Sequence, residues 1–221
     1  MNLVIPRLYA IMDAALLGTS ACPEGSRRAF AVAEALASAG VGLIQYRDKQ
    51  ISAANLLAVS RELVSLLHRH GARFVVNDRP DVAALAGAGG VHVGQEDVPV
   101  EDARVVCGRD CWVGISTHNE AQVREADATS ADYIAVGPVF STSTKQQADP
   151  VVGLDFVRRA RAMTRKPLVA IGGITVENAE QVWRAGADSV AVARDLLAAA
   201  DPALRASEYL RLAAQFGVGN N

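Results

Sequence analysis

The most constraining feature of this sequence is the regular alternation of short apolar, β-branched runs with longer amphipathic stretches. Short apolar runs bounded by turn residues indicate buried strands. Near-continuous apolar character is typical of parallel strands that are covered on both faces. The runs predict strands at Leu8–Met12, Leu43–Tyr46, Phe74–Asn77, Gly90–Val93, Trp112–Ile115, Tyr133–Val136, Leu168–Ile171 and Ser189–Ala193.

The stretches between these runs are rich in alanine, leucine and arginine, with apolar residues at helical spacing. Ser26 and Asn119 are candidate N-caps, because their side-chain oxygens can accept from the free amides of a first turn. Helix ends are predicted at Gly40, Gly71 and Gly186. The stretches predict helices at Ser26–Ser38, Ala53–Arg69, Glu120–Asp127, Leu154–Thr164, Val176–Ala185 and Pro202–Gln215.

The number of units indicates the architecture. Eight strand–helix units in 221 residues leave about 28 residues for each unit, close to the roughly 30 residues per unit of a (β/α)8 barrel. A doubly wound open sheet shares this local pattern, but no Gly-x-Gly-x-x-Gly follows the first strand. No composition break divides the chain, so we predict an α/β fold with a single (β/α)8 TIM barrel over residues 1–221.

Composition limits the classes of function. A net charge of -2 and an isoelectric point near 6.1 argue against a surface for nucleic acid or anionic membrane. The first residues lack the basic start and apolar run of a signal peptide, and no stretch approaches the roughly 20 apolar residues that span a bilayer. Cys22, Cys107 and Cys111 form no Cys-x-x-Cys pair, which argues against a metal or redox site. We therefore predict a cytoplasmic protein.

Polar clusters follow the predicted strands at the point where each strand ends. In a barrel the carboxyl ends of all strands meet on one face, where active sites are built. We therefore expect the clusters to converge on one rim. They are Gln45–Lys49, Asn77–Arg79, Gly94–Asp97, Gly114–His118, the loop with Thr142, Thr144 and Lys145, Ile171–Ile174, and Ala193–Asp195.

One group of these residues suits a multiply charged anion. Arg47, Lys49 and Lys145, with Asn77, supply cations and hydrogen-bond donors of the kind that bind phosphate oxygens. This donor set predicts a pyrophosphate site.

Two acids, Asp78 and Asp97, lie among those cations. A carboxylate beside a phosphate is repulsive unless a cation bridges the two groups. Mg²⁺ does this, typically through one or two carboxylates plus substrate oxygens. The sequence therefore predicts Mg²⁺ as cofactor, with Asp78 and Asp97 as its protein ligands.

A second group suits a single phosphate, because late-strand loops with glycines and helix N-termini form the usual phosphate site of a barrel. Two anion sites of different size predict two phosphorylated small-molecule substrates. The second group comprises Thr142, Thr144, Gly172, Gly173, Ala193 and Arg194.

Each feature also has a purely structural interpretation. Arg47 and Lys49 could pair with neighbouring surface acids, and Asn77-Asp78 could form an Asx turn. His92 lies within a predicted strand, which favours a hydrogen-bonded core histidine over a ligand. For His118 a site role and a structural role both stay open.

Taken in order, the clusters resemble the motifs of the thiamine-phosphate synthase family. No single motif is specific, but together they cover most of the chain. The matching stretches are Gln45–Lys49, Asn77–Arg79, Gly90–Asp97, Gly114–His118, Gly137–Phe140 with Thr142–Lys145, and Ala170–Ile174.

This resemblance implies a reaction that joins 4-amino-2-methyl-5-hydroxymethylpyrimidine diphosphate to 4-methyl-5-(2-phosphoethyl)thiazole. The products would be thiamine phosphate and pyrophosphate. The implied mechanism is dissociative and assisted by Mg²⁺, with a pyrimidinyl-methyl cation that the thiazole nitrogen captures. Such a reaction needs stabilisation of departing negative charge rather than an activated nucleophile.

The resemblance also implies residue roles. Asp78 and Asp97 would bind Mg²⁺, and the segment Phe140–Lys145 would close as a lid. Catalytic roles fall to Arg47, Lys49, Ser116 and Lys145. The pyrimidine diphosphate would be held by Gln45, Arg47, Lys49, Asn77, Ser116 and Lys145. The thiazole phosphate would be held by Thr142, Thr144, Gly172, Gly173, Ala193 and Arg194.

The sequence departs from the family pattern at a few positions. Gly89 stands where the family usually has aspartate, and Ser141 and Ser143 replace prolines that often flank the two threonines. Arg194 replaces a small hydroxyl residue, although a guanidinium also suits phosphate.

Two other functions stay open at this point. One is a thiazole tautomerase on the same barrel, with His118 as proton shuttle, and the other is a catalytically silent, phosphate-sensing barrel. A tautomerase would have no task for the paired carboxylates and the pyrophosphate donors. A homo-oligomer is compatible with the sequence but cannot be read from it.

Overall fold

The chain folds into a closed barrel of eight parallel strands in sequential order, with β1 paired to β8. This computed structural model describes residues 3–19, 23–142 and 150–216. The predicted (β/α)8 architecture is confirmed. The strands are β1 Leu8–Asp13, β2 Leu43–Arg47, β3 Arg73–Asn77, β4 Gly90–Val93, β5 Trp112–Thr117, β6 Tyr133–Val136, β7 Leu168–Ile171 and β8 Ser189–Val192.

Helices surround the barrel, and within the described ranges none is long and apolar enough to span a bilayer. A 3₁₀ turn, Ala214–Phe216, follows the last helix. The helices are α1 Ala14–Leu17, α2 Pro23–Ser38, α3 Ala53–Arg69, α4 Pro80–Ala86, α5 Val100–Cys107, α6 Glu120–Asp127, α7 Gly153–Met163, α8 Val176–Arg184, α9 Arg194–Leu197 and α10 Pro202–Ala213.

The cap predictions have mixed outcomes. Asn119 caps α6 as predicted, its side-chain oxygen accepting from the Gln122 N–H at 3.0 Å. The prediction of Ser26 as an N-cap is wrong, because α2 already begins at Pro23, whose fixed φ suits a first helical turn. The glycines at 40, 71 and 186 have φ of +97°, +68° and +107° at the helix ends, as predicted for left-handed caps.

Strand ends differ from prediction where polar residues continue a strand. β5 runs on to Thr117, which places Ser116 inside the strand rather than in the loop after it. β1 runs on to Asp13, which also N-caps α1. The prediction ended both strands too early, because it relied on apolar character and the last residues of these strands are polar.

Alternation along the strands separates two layers of core. Leu8, Ala10 and Met12 face the helices, whereas Tyr9 and Ile11 face the barrel interior. The interior cluster is small and contains two tyrosines. Its buried members are Ile5, Tyr9, Ile11, Leu43, Val75, Tyr133, Ala135, Val169 and Ala191.

The departure at Gly89 has a structural counterpart at the amino end of β4. Arg73 donates from Nη1 to the Gly89 carbonyl at 2.7 Å, and its guanidinium lies 4.0 Å above the Trp112 ring. A Cβ at Gly89 would come within 2.6 Å of Arg73 Cγ. Arg73 therefore fills the space that a side chain at residue 89 would take. This rim lies opposite the carboxyl ends of the strands, so the departure concerns packing.

Candidate active site

A cavity of about 350 Å³ opens at the carboxyl ends of the strands. Most of the predicted thiazole-phosphate residues line it. Predicted site residues among the cavity lining are Arg47, Ser116, Thr142, Gly172, Gly173, Ala193 and Arg194. Those that the structure places outside that lining are Gln45, Lys49, Asn77, Asp78 and Asp97. Thr144 and Lys145 lie outside the described residues.

The two glycines after β7 let the β6 loop approach closely. Gly172 has φ +101°, and a Cβ there would lie 2.5 Å from Pro138 Cβ. Gly173 has φ +64°, and a Cβ there would lie 2.4 Å from the Ser141 carbonyl oxygen. Any other residue at these positions would push the loops apart. The two glycines therefore shape the turn after β7, which forms one wall of the cavity.

Backbone hydrogen bonds fasten the two loops together. The Val139 N–H donates to the Ile171 carbonyl at 2.9 Å, and the Phe140 N–H donates to the Gly172 carbonyl at 3.0 Å. The Asn178 amide of α8 donates to the Gly173 carbonyl at 3.0 Å. The start of the segment that carries Thr142 is thus fixed against the β7 loop.

Charged groups of both signs face the cavity after β8. Arg194 and Asp195 both line it. The Asp195 carboxylate accepts from the Tyr209 hydroxyl at 2.8 Å and lies 3.9 Å from the Arg205 guanidinium. Tyr209 and Arg205 of helix α10 therefore partly compensate the negative charge of Asp195. Without them this charge would repel an anion bound beside Arg194.

An acidic corner lies at the ends of β3 and β4. Asp78 has φ +62°, its N–H donates to the His92 carbonyl at 2.8 Å, and its carboxylate lies 2.5 Å from Lys49 Nζ. Asp97 is held by the Gly94 N–H at 2.8 Å. Burial raises the pKa of Asp78, and the adjacent Asp97 carboxyl raises it further, whereas the Lys49 ion pair lowers it. Two carboxyl groups thus lie side by side, and the Lys49 ammonium contacts one of them.

A chain of hydrogen bonds crosses the barrel interior and ends at the cavity. Gln45 Nε2 donates to the Tyr9 hydroxyl at 2.6 Å, which lies 3.0 Å from the Tyr133 hydroxyl. The Tyr133 hydroxyl lies 3.0 Å from His92 Nδ1, and His92 Nε2 lies 2.9 Å from Ser116 Oγ. The prediction of His92 as a hydrogen-bonded histidine is confirmed. Sequence reasoning missed the two tyrosines, because a tyrosine in a buried strand gives no sign of its hydroxyl partner.

Arg47 pairs with a residue that sequence reasoning also missed. Its Nη1 lies 2.5 Å from Asp13 Oδ2, and both residues line the cavity. The predicted strand ended at Met12, which left Asp13 in a loop with no assigned neighbour. The structural interpretation paired Arg47 with a surface acid. Arg47 instead pairs with a buried acid on the cavity wall.

His118 faces the same cavity from the end of β5. Its Nδ1 lies 2.7 Å from the Gly137 carbonyl oxygen, and its backbone N–H donates to Gln122 Oε1 at 2.7 Å. A carbonyl oxygen can only accept, so Nδ1 carries the proton. The ring is thereby fixed in orientation and tautomer.

Known proteins match the chain over most of its length. A family model described as thiamine monophosphate synthase matches residues 8–196. A thiamine-phosphate synthase of Koribacter versatilis is 51% identical over 212 residues, which cover 96% of this chain and 97% of that protein. A thiamine-phosphate synthase of Thermosynechococcus vestitus is 46% identical over 190 residues, which cover 86% of this chain and 54% of that protein.

A solved structure matches the barrel as well. The chain described as thiamine phosphate pyrophosphorylase from Pyrococcus furiosus superposes with a TM-score of 0.81 at 32% sequence identity. The match covers 95% of this chain and 96% of that one.

Proposed function

The chain belongs to the thiamine monophosphate synthase family, whose model matches residues 8–196, and we propose that it catalyses the reaction of that family. The chain is an enzyme, a transferase of thiamine biosynthesis. Its substrates are 4-amino-2-methyl-5-hydroxymethylpyrimidine diphosphate and 4-methyl-5-(2-phosphoethyl)thiazole, and its products are thiamine phosphate and pyrophosphate. A cytoplasmic location stays a prediction.

The single observation that carries this proposal is the set of cationic side chains on one rim. Arg47, at the end of β2, and Arg194, after β8, line the same cavity. Lys49 pairs with Asp78 of the acidic corner. A reaction between a diphosphate and a monophosphate needs cationic groups at more than one position of such a rim.

The acidic corner fits Mg²⁺. Asp78 and Asp97 supply hard oxygen ligands side by side, and Mg²⁺ is commonly bound through one or two carboxylates plus substrate phosphates. Among the described residues no group of three or more His, Cys, Asp or Glu could hold a metal ion, so further ligands would come from the diphosphate and water. When bound, Mg²⁺ would neutralise charge on the diphosphate oxygens.

The cationic residues would take the rest of the departing charge. Arg47 and Lys49, with Lys145 from the sequence between β6 and α7, would hold the diphosphate, and Asn77 would donate to its oxygens. These charges matter most as the C–O bond breaks, because the leaving pyrophosphate then gains negative charge.

The interior chain supports a donor role for Ser116. The Gln45 amide nitrogen can only donate, so the Tyr9 hydroxyl accepts from it and donates to the Tyr133 hydroxyl, which in turn donates to His92 Nδ1. His92 Nε2–H then donates to Ser116 Oγ. The serine proton is left for an acceptor of the pyrimidine diphosphate. Burial raises the pKa of Tyr9 and Tyr133 above the ordinary tyrosine value, so both phenols keep their protons.

The second region would hold the thiazole phosphate. Thr142 and Arg194 would bind the phosphate beside Gly172 and Gly173, whose missing side chains let the β6 loop pack closely against this wall of the cavity. The Ala193 and Thr144 positions would complete the site.

The neutral thiazole nitrogen then captures the pyrimidinyl-methyl cation. The new C–N bond takes its electron pair from the thiazole, and the electron pair of the broken C–O bond leaves with pyrophosphate. Water would compete for the cation, which is why closure of the Phe140–Lys145 segment would matter.

A coupling assay tests this proposal. Purified protein, both phosphorylated substrates and Mg²⁺ should give thiamine phosphate and pyrophosphate in equal amounts. Excess chelator should abolish the product. A protein that isomerises the thiazole carboxylate but couples nothing would instead be a tautomerase, with His118 as the proton shuttle.

A further inference from the structure

We propose that Asp13 is a positioning residue for Arg47, which it holds in the orientation that binds the diphosphate. This inference rests on the proposed function, because it takes the diphosphate as the ligand of Arg47. Asp13 would not touch the substrate. Its effect on the reaction would pass through the guanidinium.

The strand register brings the two residues together. Asp13 and Arg47 are Cα partners in the β1–β2 pairing, at the carboxyl ends of both strands. Asp13 follows Tyr9 and Ile11 at alternate positions, so it shares their inward face. Arg47 likewise follows Leu43 and Gln45. Both side chains therefore lie on the inner side of the rim.

Burial makes the Asp13 carboxylate depend on its partner. The Asp13 side chain is 3% exposed and the Arg47 side chain 23% exposed, with 2.5 Å between Oδ2 and Nη1. A carboxylate removed from water requires a partner, since an unpaired buried charge is strongly unfavourable. Asp13 consequently holds the guanidinium to one geometry. Among the described residues the other N–H groups of the fork have no further protein partner, so they can donate to an anion.

The carboxylate is itself fixed on its other side. Asp13 Oδ1 accepts from the N–H groups of Ala15 and Leu16 at 3.1 and 3.2 Å. Helix α1 then closes on Gly18, whose φ is +65°. Both oxygens of Asp13 thus accept hydrogen bonds, one from the helix and one from Arg47. Asparagine cannot replace this arrangement, because only one of its two terminal atoms is an acceptor.

Substitution of Asp13 by serine separates the two roles. Serine is a good N-cap, so Asp13→Ser keeps the helix start but is too short to reach Arg47. Asp201 offers a matched control, since its carboxylate caps α10 in the same way, accepting from Ala203 and Leu204 at 2.9 and 3.1 Å. Asp201→Ser changes a capping carboxylate away from the cavity.

The test is a double-mutant cycle on coupling activity with Asp13→Ser, Arg47→Ala and the double variant. We expect Asp13→Ser to lower kcat/KM for the pyrimidine diphosphate by about 10- to 100-fold, as misplacement of a binding group does. The KM for thiazole phosphate should change by less than about twofold. In the Arg47→Ala background, Asp13→Ser should have little further effect, because residues that act through one contact are not additive.

Several outcomes would overturn the inference. Equal losses from Asp13→Ser with and without Arg47 would mean that Asp13 acts independently of the guanidinium. Equal losses from Asp13→Ser and Asp201→Ser, with equal changes in Tm, would mean a general effect on folding. Binding of Mg²⁺ with inorganic pyrophosphate provides a second readout, which should weaken in Asp13→Ser and stay unchanged in Asp201→Ser. Wild-type protein without coupling activity would refute the proposed function, and the inference with it.

Discussion

Replacement of Asp78 by asparagine should separate stability from activity. Asp78 adopts φ +62°, a region in which asparagine is among the few tolerated residues. Asparagine therefore removes the charge without adding backbone strain. Alanine would add strain of about 1–3 kcal/mol, which would confuse the result.

The effect on stability follows from the pKa of Asp78. Burial and the adjacent Asp97 raise that pKa in the folded state, which means that the fold favours the neutral form of the side chain. A carboxyl with a raised folded pKa reduces stability as pH rises through the unfolded pKa toward neutrality. The neutral asparagine avoids this loss. It gives up the ion pair with Lys49, whose side chain is 53% exposed, and such pairs contribute about 0–1 kcal/mol.

We therefore expect Asp78→Asn to change the free energy of unfolding by no more than about 1 kcal/mol in either direction. Coupling activity should nevertheless fall by roughly a hundredfold, and the Mg²⁺ concentration for half-maximal rate should rise, because one of two ligand carboxylates is lost. Steady-state kinetics across Mg²⁺ concentrations and urea unfolding at neutral pH measure both quantities.

Asp81 provides the matched control. It pairs with Arg79 at 2.6 Å, and its side chain is 51% exposed. The Arg79 hydrogen bond lowers the pKa of Asp81, so Asp81→Asn should reduce stability slightly at neutral pH and leave activity intact. Full activity of Asp78→Asn with unchanged Mg²⁺ dependence would refute the reasoning. A decrease of several kcal/mol in the free energy of unfolding of Asp78→Asn would also refute it.

Three further variants probe the rest of the site. Lys145→Ala should lower kcat by roughly a hundredfold through weaker stabilisation of the leaving group, and an effect confined to the KM for thiazole phosphate would contradict this. Gly173→Ala places a Cβ 2.4 Å from the Ser141 carbonyl oxygen at φ +64°, so the KM for thiazole phosphate should rise by about tenfold or more, while an unchanged KM would exclude Gly173 from that site. His118→Asn should retain substantial coupling, because no proton transfer at the aromatic thiazole is obligatory. A loss of about a hundred- to ten-thousandfold would instead indicate general acid–base catalysis.

The fold was predictable because each buried parallel strand is a nearly continuous apolar run. Where strands end in polar residues the prediction stopped early, as at Asp13 and Ser116. Helices α4 and α5 were absent from the prediction. They span only 7 and 8 residues and have no side-chain N-cap, whereas the equally short α6 has the Asn119 cap as a signal.

The position of the site was also predictable, since barrel topology places every strand's carboxyl end on one rim. The contacts between residues of the site could not be predicted. The pair of Asp13 and Arg47 depends on strand register across 34 residues, and the pair of Tyr9 and Tyr133 spans 124 residues. Sequence spacing does not show which residues of different strands come into contact. The tyrosines in particular were indistinguishable from ordinary core residues.

The most direct test of the account is product formation from both substrates by the purified protein. Mass spectrometry of a reaction with the pyrimidine diphosphate, the thiazole phosphate and Mg²⁺ should detect thiamine phosphate, with pyrophosphate released in equal amount. Omission of either substrate should leave no thiamine phosphate. Intact substrates after prolonged incubation with folded protein and Mg²⁺ would contradict the central claim.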